Sequence, residues 1–371
     1  MKRKNLCALI LALVMVFALV ACGGSGGSNT PGNASAPDDK SYNLVYSYFG
    51  PGHIGPGLFM TKIAEEIERE TDGRLTFDIH FNGTLLGTGD VIAGCINGVA
   101  DIVVVDSSVV GEVFLLNNVF SMPFMNTPPS KPAMDKAFNN MIENVPELNE
   151  ELASQNLMWL NIAPAGGYHL HGVSKLFDSP SSLAGYMIDG LGEGGNLIIA
   201  LGGNGITMDP GDWYLSLSTG LLDGMLAHFA MMRGFTVDEL LTTHVIFSNT
   251  KDPADYESLF GGGLYAPIHG YVMNIDSYNN LPADLQKLLT DKMSDYARFC
   301  TEDFNMPDEV IPSINMSIER GDQFIFVGDN ERGEWAFGIQ AILDKWFSAC
   351  DAAGYDGRAL YDYMLEQFAA Y

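Results

Sequence analysis

NLVYSY at 43–48, LFMTKIAEEIERET at 58–71, RLTFDIHF at 74–81, DVIAGCINGV at 90–99 and IVVV at 102–105 follow one another with short polar breaks between them. The first and third segments alternate and are rich in Val, Tyr, Phe and Ile, which suits strands. The second has helical period, with Phe59, Ile63 and Ile67 on one side and charges opposite. The fourth suits a short helix. The fifth is continuously apolar, as a parallel strand covered on both faces would be. Strand, helix, strand, helix, strand predicts an α/β domain built on a parallel sheet.

The same grammar continues outward. Gly50-Pro51-Gly52-His53-Ile54-Gly55-Pro56-Gly57 breaks the chain between the first strand and the first helix. Further on, Met158–Ile162, His169–Val173 and Tyr186–Ile188 read as short strands, Asn196–Leu201 and Asp212–Ser218 as helices, and Gly270–Asn274 as a strand returning to the sheet. From Leu281 the chain turns mainly helical. Pro282 stands early in a helix whose apolar side is Leu285, Leu288, Leu289, Met293 and Tyr296. Trp335–Ala352 and Gly357–Ala370 complete a helical C-terminus.

The N-terminus reads as an export signal. Lys2, Arg3 and Lys4 precede the uncharged apolar run Leu6–Val20, which is followed by the small-residue sequence Ala21-Cys22-Gly23-Gly24. The run is too short to span a bilayer as a helix. Leu19-Val20-Ala21-Cys22 is similar to a bacterial lipobox, so residues 1–21 are expected to be removed and Cys22 to carry lipid, palmitate among its acyl chains. Residues 22–41 are rich in Gly, Ser, Asn, Pro and Ala and read as a flexible spacer. The protein is therefore expected at the extracytoplasmic face of the cell membrane, held by its lipid anchor.

Composition narrows the function. The chain of 371 residues is 47% apolar, ample for a packed core. It carries a formal net charge of −27, which loss of Lys2, Arg3 and Lys4 would take to −30. Such a surface repels nucleic acid and anionic headgroups alike. Beyond Cys7 and Cys22 only Cys95, Cys300 and Cys350 remain, without metal-finger spacing, and they read as buried small apolar residues.

Three motifs imitate enzyme signatures. Gly190-Leu191-Gly192-Glu193-Gly194-Gly195 satisfies G-x-G-x-x-G between a strand and a helix. It lies deep in the chain, however, and an exported protein meets little nicotinamide cofactor. Its backbone N–H groups could still hold an anion. Gly23-Gly24-Ser25-Gly26-Gly27 matches the hydrolase elbow but sits in the spacer. His169-x-His171 places two imidazoles on one face of a strand, and Asp189, Asp209 or His228 could complete a metal site. No second ligand motif accompanies the pair, and neither metal nor cofactor is expected.

The order of several segments resembles one family, the solute receptors of tripartite ATP-independent (TRAP) transporters of the dicarboxylate-receptor type. The resemblance rests on Glu70-Thr71-Asp72-Gly73-Arg74, Leu85-Leu86-Gly87 and Ile96-Asn97-Gly98-Val99-Ala100-Asp101. It extends to Phe120-Ser121-Met122-Pro123-Phe124, Pro180-Ser181-Ser182-Leu183-Ala184-Gly185, residues 212–224 (DWYLSLSTGLLDG), and Val272-Met273-Asn274 followed by 281–286 (LPADLQ). It implies a two-lobed periplasmic-binding-protein-like α/β fold with hinge strands and a long connecting helix. Lobe I would comprise 42–166 plus about 246–280, and 167–245 plus about 281–371 would form lobe II with the connecting and C-terminal helices. The implied function is capture of a small polar molecule between the lobes and its delivery to separate permease subunits, without catalysis. Alternatives are a lipoprotein sensor feeding a signalling receptor, or an exported enzyme using His169, His171 and Asp189.

The resemblance also predicts departures. In the family an Arg after the strand of the Pro-x-x-Leu-x-Gly segment pairs with a ligand carboxylate; in register that position is Asp189. The Gly-aromatic-Arg pattern reads Gly167-Tyr168-His169, and a common Asn appears as Ala227 beside His228. Candidate ligand-binding residues are therefore His169, Asp189, Trp213 and His228, with His53 in the Gly/Pro break and Asp106 at the end of the apolar run. Two ligand chemistries stay open. A polar neutral or cationic molecule would use Asp189 as acceptor. An organic acid would use His169, helix N-termini or a bridging metal, with Arg233 the nearest basic residue in sequence.

Overall fold

A computed structural model describes residues 40–107, 113–126, 128 and 130–371. The signal, most of the spacer and Cys22 lie outside these residues. The opening βαβαβ pattern folds as predicted. β1 (Tyr42–Ser47), β2 (Leu75–His80) and β3 (Ile102–Asp106) are parallel, joined by helices Gly55–Glu70 and Val91–Ile96. The first helix starts three residues before the periodic run, because Pro56 sits in its first turn, where no N–H is needed. β4 (Leu157–Pro164) completes the sheet from its far edge. Its neighbour is β10 (Ile268–Asn274), antiparallel to both β3 and β4, and the strand order is β2-β1-β3-β10-β4.

A second sheet follows. It consists of β5 (His169–Gly172), β6 (Met187–Gly190), β7 (Asn204–Ile206), β8 (Gly224–Ala227), β9 (Thr243–Ile246) and β11 (Gln323–Phe326), in the order β11-β9-β5-β8-β6-β7. All six are three or four residues long, too short to show clear periodicity in sequence, and β7, β8, β9 and β11 were not read from it.

The chain crosses between the sheets three times. β4 leads to β5 through Ala165–Tyr168, and β9 returns to β10 through 247–267. These two crossings lie against each other. Ala165 N–H donates to Pro267 O at 2.8 Å, Gly167 N–H to Phe260 O at 2.8 Å, and Leu264 N–H to Tyr168 O at 2.9 Å. Glycine is required here: Gly166 and Gly263 have φ of 116° and 107°, and a Cβ on Gly167 would overlap the Gly262 carbonyl.

The third crossing is a continuous helix made of Tyr296–Arg298, a π-helical stretch Phe299–Val310 containing Pro307, and Ile311–Arg320. Its first part buries Tyr296, Phe299 and Cys300 in the core of the first sheet, beside Phe59 and Tyr271; its later part buries Val310 and Ile314 in the core of the second. The residues after 281 are divided between the two cores. The helix Ala283–Met293 places Leu285, Leu289 and Met293 in the first core, because its apolar side matches the exposed edge beside the helix Gly55–Glu70. The helices Ala336–Ala353 and Gly357–Ala370 pack into the larger core of the second sheet.

Cys95, Cys300 and Cys350 are free and buried. Burial pushes the Cys95 and Cys300 thiols up to about 12, so neither forms the reactive thiolate near neutrality. A disulfide-exchange reagent at pH 8 is expected to leave all three unmodified in the folded protein and to label them after unfolding in urea; labelling within the mixing time of the native protein would contradict this burial.

Candidate functional site

The carboxyl ends of the parallel strands from both sheets converge on one cleft, the usual ligand position in open α/β sheets. β1 runs into Tyr48 and Phe49, β6 into Leu191, and β8 into His228. These residues line a cavity of about 40 Å³ together with Ile54, Gly55 and Pro56 at the start of the first helix, Pro210 and Trp213, and Asn305 and Glu309 on the crossing helix. Leu191 also lines a wider hollow of about 420 Å³ between Thr88–Ile92 and Thr207–Asp209.

Of the residues expected to bind ligand, two line the cavity. Trp213 is fully buried, with its indole N–H turned toward the Asp189 carboxyl. His228 caps the helix Phe229–Gly234: its Nδ1 accepts from Met231 N–H at 3.3 Å, and Nε2 is buried without a partner. Because Nδ1 is an acceptor, the proton of the neutral ring lies on Nε2. Burial, with lesser contributions from His269, His169 and Lys131, holds its pKa well below the ordinary value. His228 therefore presents a neutral N–H donor to the cavity.

Asp106 and Asp189 stand just behind the wall. Antiparallel pairing puts Asp106 opposite His269, whose Nε2 lies 2.9 Å from Asp106 Oδ2; His269 lines the cavity and Asp106 orients it. The Tyr168 hydroxyl also approaches Asp106, at 3.5 Å. Asp189 is 1% exposed and accepts from Met208 N–H at 2.8 Å through Oδ1, while Oδ2 completes no hydrogen bond. Burial raises its pKa to about 7, opposed by the Met208 N–H and the neighbouring Trp213 indole.

His169 and His53 are placed elsewhere. His169 is fully buried, with Nε2 2.7 Å from Leu259 O and Nδ1 accepting from Phe247 N–H at 3.1 Å. Both ring nitrogens tie together the strands near the crossings, leaving none for a ligand. His53 is exposed and does not line the cavity.

His171 joins a different buried cluster. Its Nε2 lies 3.2 Å from Ala227 O, its Nδ1 2.8 Å from His244 Nδ1, and His244 Nε2 3.2 Å from Asp322 Oδ2. Burial holds the pKa of both rings below the ordinary imidazole value, His171 well below it, so the pair is neutral near pH 7 and His244 Nε2–H donates to the Asp322 carboxylate. Burial opposes ionisation of Asp322, but Arg320 and His244 outweigh it and hold its carboxyl at about 2. Asp322→Asn is expected to cost about 2 kcal/mol in urea unfolding at pH 7, since it removes the carboxylate that accepts from both His244 and Arg320; an unchanged midpoint would contradict the contribution of these bonds. Among the described residues no His, Cys, Asp and Glu cluster is arranged to hold a metal ion.

The G-x-G-x-x-G segment has a packing role. A Cβ on Gly190 would strike the Gly194 backbone, and Gly195 lies against the backbone of Ile206. Glu193 occupies the first turn of the helix Glu193–Ala200, placing negative charge where a dinucleotide phosphate would need to sit.

Tyr48, His269, Asn305 and Glu309 escape sequence reading. Thr301-Glu302-Asp303-Phe304-Asn305-Met306-Pro307-Asp308-Glu309 looks like an acidic surface helix. The one available signal was Pro307 inside it, which marks irregular helix, and π-helical stretches recur at functional sites. Asn305 Oδ1 is buried without a partner, and Glu309, 6% exposed, forms no hydrogen bond or ion pair among the described residues.

Comparison with known proteins agrees with this architecture. Residues 55–349 match the bacterial extracellular solute-binding protein family 7 (DctP). A solute-binding protein of Chromohalobacter salexigens is 26% identical over 171 residues, 45% of this chain and 49% of the relative, so the match spans about half of that relative's length. Among solved structures, a marine-metagenome TRAP solute binding protein specific for aromatic acid ligands, in complex with 3-hydroxybenzoate, superposes with a TM-score of 0.75 at 19% identity, covering 90% of this chain and 99% of that one. A TRAP solute binding protein from Rhodoferax ferrireducens with copurified benzoate gives 0.71 at 20% identity, covering 89% and 98%. One from Chromohalobacter salexigens with bound D-glucuronate gives 0.71 at 18%, covering 87% and 99%. The cleft and its unpartnered polar groups define a solute-binding protein. The chain belongs to family 7 of the bacterial extracellular solute-binding proteins, the family its sequence resembles.

Proposed function

We propose that this protein is the capture component of a TRAP-type transporter, taking up one small molecule in the cleft between its two sheets and presenting it to the membrane permease subunits. The observation that carries this reading is the cavity where strands of both sheets end, lined by His228 and Asn305, whose buried polar atoms the chain itself leaves unpaired. Unsatisfied buried polar groups are rare and costly unless a ligand satisfies them. Solved proteins of the same fold hold small organic molecules, and family membership supports a binding role without catalysis.

A thermal-shift screen of the purified full chain against small acids, amines, polyols and amino acids tests this. A compound at about 100 times its Kd adds roughly 2.7 kcal/mol. At least one compound class is expected to raise Tm, and Trp213→Ala to abolish the rise. A screen without any shift contradicts the reading.

Lipid on Cys22 would keep the receptor beside its permease at high effective concentration. The lipobox-like Leu19-Val20-Ala21-Cys22 supports this extracytoplasmic anchoring. Cys22→Ser is expected to release the protein from the membrane fraction; retention of the variant there would contradict the anchor.

A further inference from the structure

The polar groups of the cleft carry a consistent sign. Asn305 and Glu309 stand four residues apart on the crossing helix and reach the cavity from the same side. Asn305 is 8% exposed and offers an unpaired Oδ1, packed where Gly55 lacks a Cβ; Glu309 offers an unpaired carboxyl. Opposite them, His228 Nε2–H is an unpaired, uncharged donor, while the Trp213 indole N–H is turned toward the Asp189 carboxyl. Among the described residues no Lys or Arg lines the cavity, while the carboxyls of Asp106 and Asp189 lie directly behind its wall. Tyr48 and Phe49 from one side and Trp213 and Phe235 from the other supply aromatic surface.

We propose that the cleft takes a small organic ammonium ion bearing an acceptor oxygen, with its N–H groups on Glu309 and Asn305, its oxygen on His228, and its body among the aromatic rings. This deepens the receptor reading and rests on it. An ammonium satisfies two buried acceptors and compensates a buried carboxyl, and aromatic faces favour cations over anions. A carboxylate would instead face Glu309 with only neutral donors to hold it. The helix start at Gly55 offers an anion a fraction of a positive charge, against the full charge of Glu309.

The groups facing Glu309 are Asp308 on its own helix, Tyr48, Cys300 and Arg233. Arg233 is bound to Asp238 at 3.4 Å and does not line the cavity. Burial and Asp308 outweigh Arg233, so the carboxyl is pushed up to about 8 in the absence of a partner.

The test is a thermal-shift titration of the purified full chain and of Glu309→Gln. Ethanolamine, tyramine and 4-aminobutyrate serve as ammonium probes, and 3-hydroxybenzoate, benzoate and D-glucuronate as acid probes. The expected result is a saturable shift with at least one ammonium probe, none with the acids, and at least ~30-fold weaker affinity in Glu309→Gln, the loss typical of removing one partner of a buried charge pair. Acid probes that shift Tm while the ammonium probes stay silent would overturn the inference and leave the receptor reading intact. Silence of both sets would overturn the inference and count against the receptor reading as well. Ammonium shifts unchanged in Glu309→Gln would overturn the assignment of Glu309.

Discussion

Glu309→Gln is expected to make the unliganded protein more stable at pH 8, by on the order of 4 kcal/mol, while it weakens binding. The carboxyl pKa rises from an ordinary 4.5 to about 8 on folding, chiefly through burial. Between these values the folded state holds a proton that the unfolded state has released. The stability contributed is therefore full below pH 4.5 and is lost as pH rises through 8, at about 1.4 kcal/mol for each pH unit. Gln keeps the shape of the protonated acid and cannot ionise. Urea unfolding at pH 5 and pH 8 checks this: parent and variant should nearly coincide at pH 5 and separate at pH 8. Parallel pH profiles would contradict the buried carboxyl. A group that destabilises the empty protein and is satisfied by a ligand is a common stability–function trade at binding sites.

Gly167→Ala is expected to cost at least ~3 kcal/mol and to reduce soluble yield. Its new Cβ would meet the Gly262 carbonyl, and neither backbone can yield freely, because Gly167 N–H is bonded to Phe260 O at 2.8 Å and Gly263 N–H to Phe247 O at 2.7 Å. Both inter-sheet crossings would have to separate, which disturbs the geometry that sets the cleft. Urea unfolding measures the loss directly. Gly185→Ala provides a control for glycine replacement alone, since Gly185 has φ of 85° but nothing within reach of a Cβ. A loss at Gly167 no larger than at Gly185 would contradict close packing of the crossings.

How far the sequence could be read follows from these same places. The first sheet was legible because its strands and the helix Gly55–Glu70 are long enough to show period. Much of the second sheet was not: β7 to β9 have no room for alternation, and the family resemblance carried that lobe. Trp213 and His228 reach the cavity from segments where sequence placed candidate ligand contacts. What could not be read depends on register and helix geometry. His269 gains Asp106 only through the antiparallel pairing of β10 with β3. Asn305 and Glu309 turn inward only because the crossing helix passes from one core to the other through its π-helical stretch. His169 misled because a His on a strand in the right register suggests a ligand group, and its backbone partners, Leu259 and Phe247, come from distant segments.

Proton linkage of binding tests the account most directly. If an ammonium ion seats against Glu309, it displaces the proton that burial keeps there. Calorimetric titration of an ammonium probe identified by thermal shift, at pH 7 in two buffers of different ionisation enthalpy, should show release of close to one proton per molecule bound, and none in Glu309→Gln. Binding with proton uptake, or with no linkage in the parent protein, would contradict it.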